Sequence, residues 1–268
     1  MGKTYYYRDE VNDDFAELDI KPISLPADYQ YYSVGKVGSF FSWVLLRLIA
    51  TPIAFLFQKI VFGEKVVGRE KLKEYRKSGY FLYGNHTRLA GDAFTPFLIS
   101  FPKKAYIVVN PDAVSIPIVK HLVKWLGGLP TPSSLSHYRR FCSAVHRYVE
   151  EGSAIIIYPE AHIWKKYTKI RPFGDTSFSF PVAADKPCFS LTTTYQKRKF
   201  FGGVKTTVYI DGPFFPDRSL PKPERKRKLQ QDIYDAMVER TKYSTYEVNR
   251  FIKIESEEAQ DEHDHSSR

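Results

Sequence analysis

A histidine and a carboxylate stand close together in the run Asn85-His86-Thr87-Arg88-Leu89-Ala90-Gly91-Asp92. An imidazole beside a carboxylate can act as a general base: the ring takes a proton from a hydroxyl, and the acid fixes the tautomer and stabilises the imidazolium. The same residues also fit a plainer assignment, with His86 a turn residue and Asp92 an acid favoured near a helix N-terminus. A second group of chemically capable residues follows at Pro159-Glu160-Ala161-His162, with Lys165, Lys166, Lys169 and Arg171 just beyond. Separately these read as a helix acid and a solvated basic face.

The elements around these residues decide how they can meet. The apolar run at 79–83 reads as a buried strand, broken by Gly84 and Asn85, with a helix expected over 92–100. His86 then lies on a strand-to-helix turn, where open α/β folds place their chemistry. Further strands are expected over 105–110, 154–158, 188–195 and 205–211. Helices are expected over 116–125, 138–151 and 222–241, with 127–131 a short strand or loop. In the last helix Leu229, Ile233 and Met237 form a core-facing stripe at four-residue spacing. The alternation predicts an α/β domain over 64–254, a single mostly parallel or mixed sheet flanked by helices. The nearly all-apolar strand at 154–158 should be central and buried on both faces. In a parallel sheet its carboxyl end shares an edge with that of 79–83, so Glu160 and His86 can face one crevice.

Composition narrows the partners. The net charge is +10, yet residues 1–35 carry three basic and seven acidic side chains, and 255–268 one and six. The segment between therefore holds a net +19, which calls for an anionic partner such as phospholipid, a phosphorylated substrate or nucleic acid. No zinc finger, helix-turn-helix or single-strand aromatic motif is present, so nucleic acid is not expected. Cys142 and Cys188 have neither metal nor disulfide spacing. Residues 1–38 form a polar arm, a peripheral strap or a disordered lead. The acidic tail at 255–268 is expected to be disordered.

Residues 39–63 are strongly apolar, with Trp43 and five phenylalanines between 40 and 62. Arg47 inside the stretch costs roughly 2.5–3.5 kcal/mol at a bilayer centre. Pro52 breaks or kinks the helix. Two short helices dipping into one leaflet fit better than a plain span, with Arg47 and Lys59 at the headgroups. The competing assignment is a pair of core helices in a soluble protein.

The ordered blocks Asn85-His86 with Asp92, Gly127-Gly128, Tyr158-Pro159-Glu160, and Pro187 before an apolar strand resemble the glycerolipid acyltransferases. These are the PlsC-type lysophosphatidate and glycerol-phosphate acyltransferases. The resemblance covers about 80–195, and the hydrophobic segment is similar to that family's membrane anchor. It implies acyl transfer from acyl-CoA or acyl carrier protein to a lysophospholipid or glycerol-phosphate-like acceptor, with no metal and no resident cofactor. His86 and Asp92 are then catalytic. Backbone N–H groups near the turn, or at Gly127 and Gly128, offer oxyanion donors, and Asn85, Glu160, His162, Lys165, Lys166 and Arg171 are substrate-binding. The expected setting is the cytoplasmic face of a membrane, monotopic or single-span, with membrane phospholipids as partners.

Three departures accompany the resemblance. Five residues separate His86 from Asp92 where the family has four, and the freedom of Gly91 is expected to absorb the extra one. Residues 127–134 contain no arginine, and the third block keeps only Glu160. They are what a catalytically silent lipid-binding or scaffold protein on the same fold would show. A hydrolase is also conceivable, since water can replace an acceptor, but no Gly-x-Ser-x-Gly elbow is present.

Overall fold

The computed structural model describes residues 2–16, 25–31, 52, 64–114, 127–198 and 202–254. In chain order its strands are β1 (Thr4–Tyr7), β2 (Lys65–Val67), β3 (Tyr80–Gly84), β4 (Ala105–Val109), β5 (Gly128–Pro130), β6 (Ala154–Ile157), β7 (Cys188–Lys197), β8 (Val204–Phe214) and β9 (Arg250–Lys253). The α-helices are α1 (Leu89–Ser100), α2 (Leu135–Glu150), α3 (Ser179–Ala184) and α4 (Lys222–Thr241). Seven strands form one sheet in the order β2-β8-β7-β3-β6-β4-β5. Every neighbouring pair is parallel except β7 with β8, so the sheet is mixed and mostly parallel, as expected.

Burial follows the two-residue period of the strands. Phe81, Tyr83, Ile155 and Ile157 point to one face, against Phe141, Val145 and Tyr148 of α2 and Leu229, Ile233 and Met237 of α4. Tyr80, Leu82, Ala154 and Ile156 point to the other, with Ile99 of α1, Phe189, Val208 and Ile210. Each fully buried side chain of this size stabilises by about 1.5–3 kcal/mol. The stacking of two apolar layers on β3 and β6 makes these strands the rigid centre from which the turns project. Cys188 lies in that core, and burial pushes its thiol well above the usual range.

The residues expected as a hydrophobic membrane segment fall outside the described residues apart from Pro52, as do the helix expected at 116–125 and the acidic tail. Among the described residues no helix is long and apolar enough to cross a membrane. Part of the polar arm is ordered structure: β1 pairs in parallel with β9, Thr4 opposite Arg250 and Tyr7 opposite Lys253. Tyr5, Tyr7 and Phe15 of the arm close on Trp164 and Phe251 in one aromatic cluster, with ring centroids 4.7–5.7 Å apart.

Candidate active site

The parallel register sets Tyr83 level with Ile157, so the turns after β3 and β6 leave the same edge of the sheet. On the first turn the His86 Nδ1 lies 2.9 Å from Asp92 Oδ2. The same oxygen accepts the backbone N–H groups of Thr87 at 2.9 Å and Arg88 at 2.8 Å. A carboxylate that accepts two N–H bonds is an acceptor toward the ring as well, so the proton resides on Nδ1. That leaves the Nε2 lone pair free to take a proton. The His86 side chain is 18% exposed, whereas Asp92 is 2% exposed.

Helix α1 begins at Leu89, three residues earlier than expected. Its N-cap Arg88 is extended and has no side-chain cap, and the Asp92 carboxylate, four residues on, reaches back to accept the Arg88 N–H, much as the N3 acid of a capping box does. Asp92 therefore serves both readings at once, as a helix N-terminal acid and as the partner of His86. The expected role of Gly91 needs correcting. It lies within α1 and carries no positive φ, so backbone freedom is not what it supplies. A Cβ there would stand 2.7 Å from the Arg88 guanidinium carbon, so glycine makes room for that side chain.

Arg88 is buried, forms a short ion pair with Glu64, and places Nε 3.4 Å from Asp92 Oδ1. Burial works against its charge, but Glu64 and Asp92 more than offset this and hold it above its ordinary value. The carboxylate of the dyad is thus backed by a fixed cation.

Tyr158 packs against the pair. Its ring stacks on the His86 imidazole with centroids 4.6 Å apart and planes 19° apart. Its hydroxyl donates to the Asp92 carbonyl at 2.7 Å. That carbonyl is available because the residue four positions on is Pro96, which has no N–H to close the helical bond. Gly84 lets the ring lie across the strand end, since a Cβ there would meet Tyr158 Cε1 at 2.5 Å. Burial pushes the phenol well above its usual range, so it stays a donor. The sequence held the signal in Pro96 and Gly84, but nothing in it pairs them with Tyr158.

Several residues expected to touch substrate have other work. Asn85 is buried and exchanges two hydrogen bonds with the backbone of Thr193, tying the end of β3 to β7. Glu160 accepts the His86 backbone N–H at 3.0 Å with one oxygen and the Arg171 N–H at 3.0 Å with the other. Burial raises the Glu160 carboxyl while Arg171 and the two N–H groups oppose the rise. Arg171 is fully buried, and its guanidinium donates to the carbonyls of Glu160, His162 and Glu10. Glu160 and Arg171 therefore lie under the turn and support it; neither faces the crevice. His162 lies at the arm, with Nδ1 3.6 Å from Asp14.

Gly127 and Gly128 are also misplaced for an oxyanion role. Gly128 is level with Ile107, hence with Ile156 and Leu82, four residues before His86. β5 is three strand positions from β3, about 14 Å at the usual spacing. Gly127 is a glycine because φ is +85° and a Cβ would meet the Ala105 carbonyl oxygen at 2.5 Å. Gly127→Ala is expected to destabilise by more than about 1–2 kcal/mol. Denaturant melts should show that loss with kcat of the folded protein unchanged; lost kcat at full stability would restore the oxyanion role.

Lys165 and Lys166 stand beside the turn, because Trp164 N–H donates to the His86 carbonyl at 3.1 Å and Lys166 N–H to the Thr87 carbonyl at 2.9 Å. Among the described residues no group of three His, Cys, Asp or Glu side chains is placed to hold a metal.

No family profile matches the chain, and no curated protein does. A solved structure does: the 1-acyl-sn-glycerophosphate (LPA) acyltransferase PlsC from Thermotoga maritima, at 17% identity and a TM-score of 0.54. The match covers 78% of this chain and 89% of that one. The chain has the fold of the PlsC acyltransferase, with an imidazole–carboxylate pair at the carboxyl edge of its sheet.

Proposed function

We propose that the protein is an acyltransferase working at the cytoplasmic face of a membrane. It moves a fatty acyl group from acyl-CoA or acyl carrier protein to the hydroxyl of a lysophospholipid or glycerol-phosphate-like acceptor. The observation that carries this is the His86–Asp92 pair, with Nδ1 committed to the carboxylate and Nε2 left as a base.

In the proposed reaction Nε2 takes the acceptor's hydroxyl proton as the oxygen attacks the thioester carbonyl. The C–O bond forms, the tetrahedral intermediate collapses with cleavage of C–S, and the imidazolium returns its proton to the leaving thiolate. Asp92 stabilises the imidazolium between these steps. The chemistry uses no metal and no resident cofactor. A lipid surface is supported by Leu89 and Phe94 of α1, which expose 43% and 41% of their surface next to the turn.

The test is thiol release from oleoyl-CoA with a panel of lysophospholipids. His86→Ala is expected to slow release by about 10²–10⁴-fold. Equal release by wild type and variant would exclude His86 as the base. No release by wild type with any acceptor would favour the silent lipid-binding reading, which the intact dyad argues against.

A further inference from the structure

A cavity of about 390 Å³ opens at the amino edge of the sheet, a volume suited to a small ligand. Tyr80, the first residue of β3, forms part of its wall, whereas His86 follows the far end of that strand. The length of extended chain between them sets the two about 20 Å apart. The lining brings together Arg69, Lys73, Arg76 and Lys103, four cations against one carboxylate, Glu70. None of the four has an ion-pair partner among the described residues.

Two of these cations have work in the fold. Arg69 donates from Nε and Nη2 to the carbonyls of Leu98, Ile99 and Phe101, which offsets the negative end of α1. Lys103 gives its three donors to the carbonyls of Arg76, Ser78 and Gly152, so it brings charge to the cavity and no further hydrogen bond. Burial holds its ammonium below the ordinary value, and a nearby anion opposes that shift. Lys73 and Arg76 are different. Both are exposed, and neither side chain has a hydrogen-bond or ion-pair partner among the described residues. On an open surface two such cations need no explanation. Here they share one cavity with two fixed cations, and an anion relieves the repulsion.

Helix α1 links this cavity to the proposed base. It starts at Leu89 beside the His86 turn and ends at Ser100 in the cavity wall. Leu89, Phe94 and Phe101 are exposed along it, and the seven-residue spacing of the two phenylalanines puts them on one face. An apolar stripe that ends among cations suits a lipid surface whose headgroups carry phosphate. We propose that Arg69, Lys73, Arg76 and Lys103 bind the phosphate of an anionic phospholipid headgroup in this cavity. The site needs neither the His86 base nor acyl transfer. Its effect is to hold the far end of α1 at the bilayer. A soluble phosphate ester offers the same chemistry, and the experiment separates the two sources.

The experiment measures co-sedimentation of the full chain with dioleoyl phosphatidylcholine vesicles, with and without dioleoyl phosphatidate. Calorimetry with inorganic phosphate and glycerol 3-phosphate runs beside it. The proteins are wild type, His86→Ala, Lys73→Gln/Arg76→Gln, the charge-keeping Lys73→Arg/Arg76→Lys, and Lys222→Gln/Arg227→Gln on α4. The α4 pair removes the same net charge elsewhere. Charge-assisted hydrogen bonds predict at least about tenfold weaker phosphatidate-dependent binding by Lys73→Gln/Arg76→Gln. The other variants should bind nearly as wild type, and binding to phosphatidylcholine alone should be unchanged throughout. Because Lys73 and Arg76 are exposed, thermal melts of their variants should match wild type. Equal phosphatidate binding by wild type and Lys73→Gln/Arg76→Gln overturns the proposal. An equal loss in the α4 variant does so too, since it reduces the effect to overall charge. Loss of inorganic phosphate or glycerol 3-phosphate binding with vesicle binding kept overturns the headgroup in favour of a soluble ester.

Discussion

Asp92→Asn is expected to lower kcat by about 10⁴-fold while leaving KM nearly unchanged, the scale of effect when an orienting carboxylate becomes an amide. One Asp92 oxygen takes three donors, from His86, Thr87 and Arg88, and the other faces the Arg88 guanidinium. An amide cannot serve both sides. With its oxygen on the three donors, its NH₂ meets the Arg88 Nε donor to donor. Flipped, its NH₂ faces the imidazole, which must then accept at Nδ1 and carry its proton at Nε2. The flipped arrangement removes the Nε2 base, and the other keeps it but sets donor against donor at Arg88 and loses the negative charge that stabilises the imidazolium. Steady-state kinetics beside a thermal melt separates this from unfolding. Retention of more than about a tenth of wild-type kcat would exclude Asp92 as the orienting partner.

Trp164→Ala is the second large effect. Trp164 is fully buried and stacks on Phe251 with planes 8° apart, with Tyr7 and Phe15 at its edges. Its Nε1–H donates to the Asp13 carbonyl at 2.7 Å and its backbone N–H to the His86 carbonyl at 3.1 Å. Truncation should cost about 3–5 kcal/mol. At roughly 2–4 °C per kcal/mol for a chain of this size, Tm falls by about 10 °C. Met237→Ala, in the core under α4, should cost a similar 2–5 kcal/mol. The two variants part in kinetics. At temperatures where each is folded, Trp164→Ala should lose kcat and Met237→Ala should not. Equal kcat in the two would mean that the arm steadies the fold without acting on the turn.

The contrast also marks what sequence could and could not reveal. β3 and β6 were legible because strands buried on both faces must be continuous apolar runs, and α4 because Leu229, Ile233 and Met237 keep one face. The contact between His86 and Asp92 was legible because an imidazole and a carboxylate so close in sequence at a strand-to-helix turn can reach one another. Glu160 and Arg171 were found but placed on the wrong side of the turn. A charged residue in a sequence carries no mark of burial, and these two are enclosed by each other, by the turn's backbone and, for Arg171, by the Trp164 ring and the Glu10 carbonyl. Gly127 misled for a related reason: a glycine required by a positive φ looks the same as one required by a ligand. β1 and β9 escaped altogether, since Thr4-Tyr5-Tyr6-Tyr7 has no alternation of apolar and polar residues and its partner lies far along the chain.

That last pairing has a consequence for timing. Lys3 bonds Asn249 across 246 positions, and Thr4 pairs with Arg250. A ribosome adding about 5–20 residues per second delivers the partner strand roughly 10–50 s after β1 has emerged. The turns after β3 and β6 and most of their sheet have been synthesised well before then. Phe251, which stacks on Trp164, has not. A growing chain therefore carries the His86 turn before Phe251 can stack on Trp164, and the proposed acyl transfer is expected only once residues 249–253 are in place.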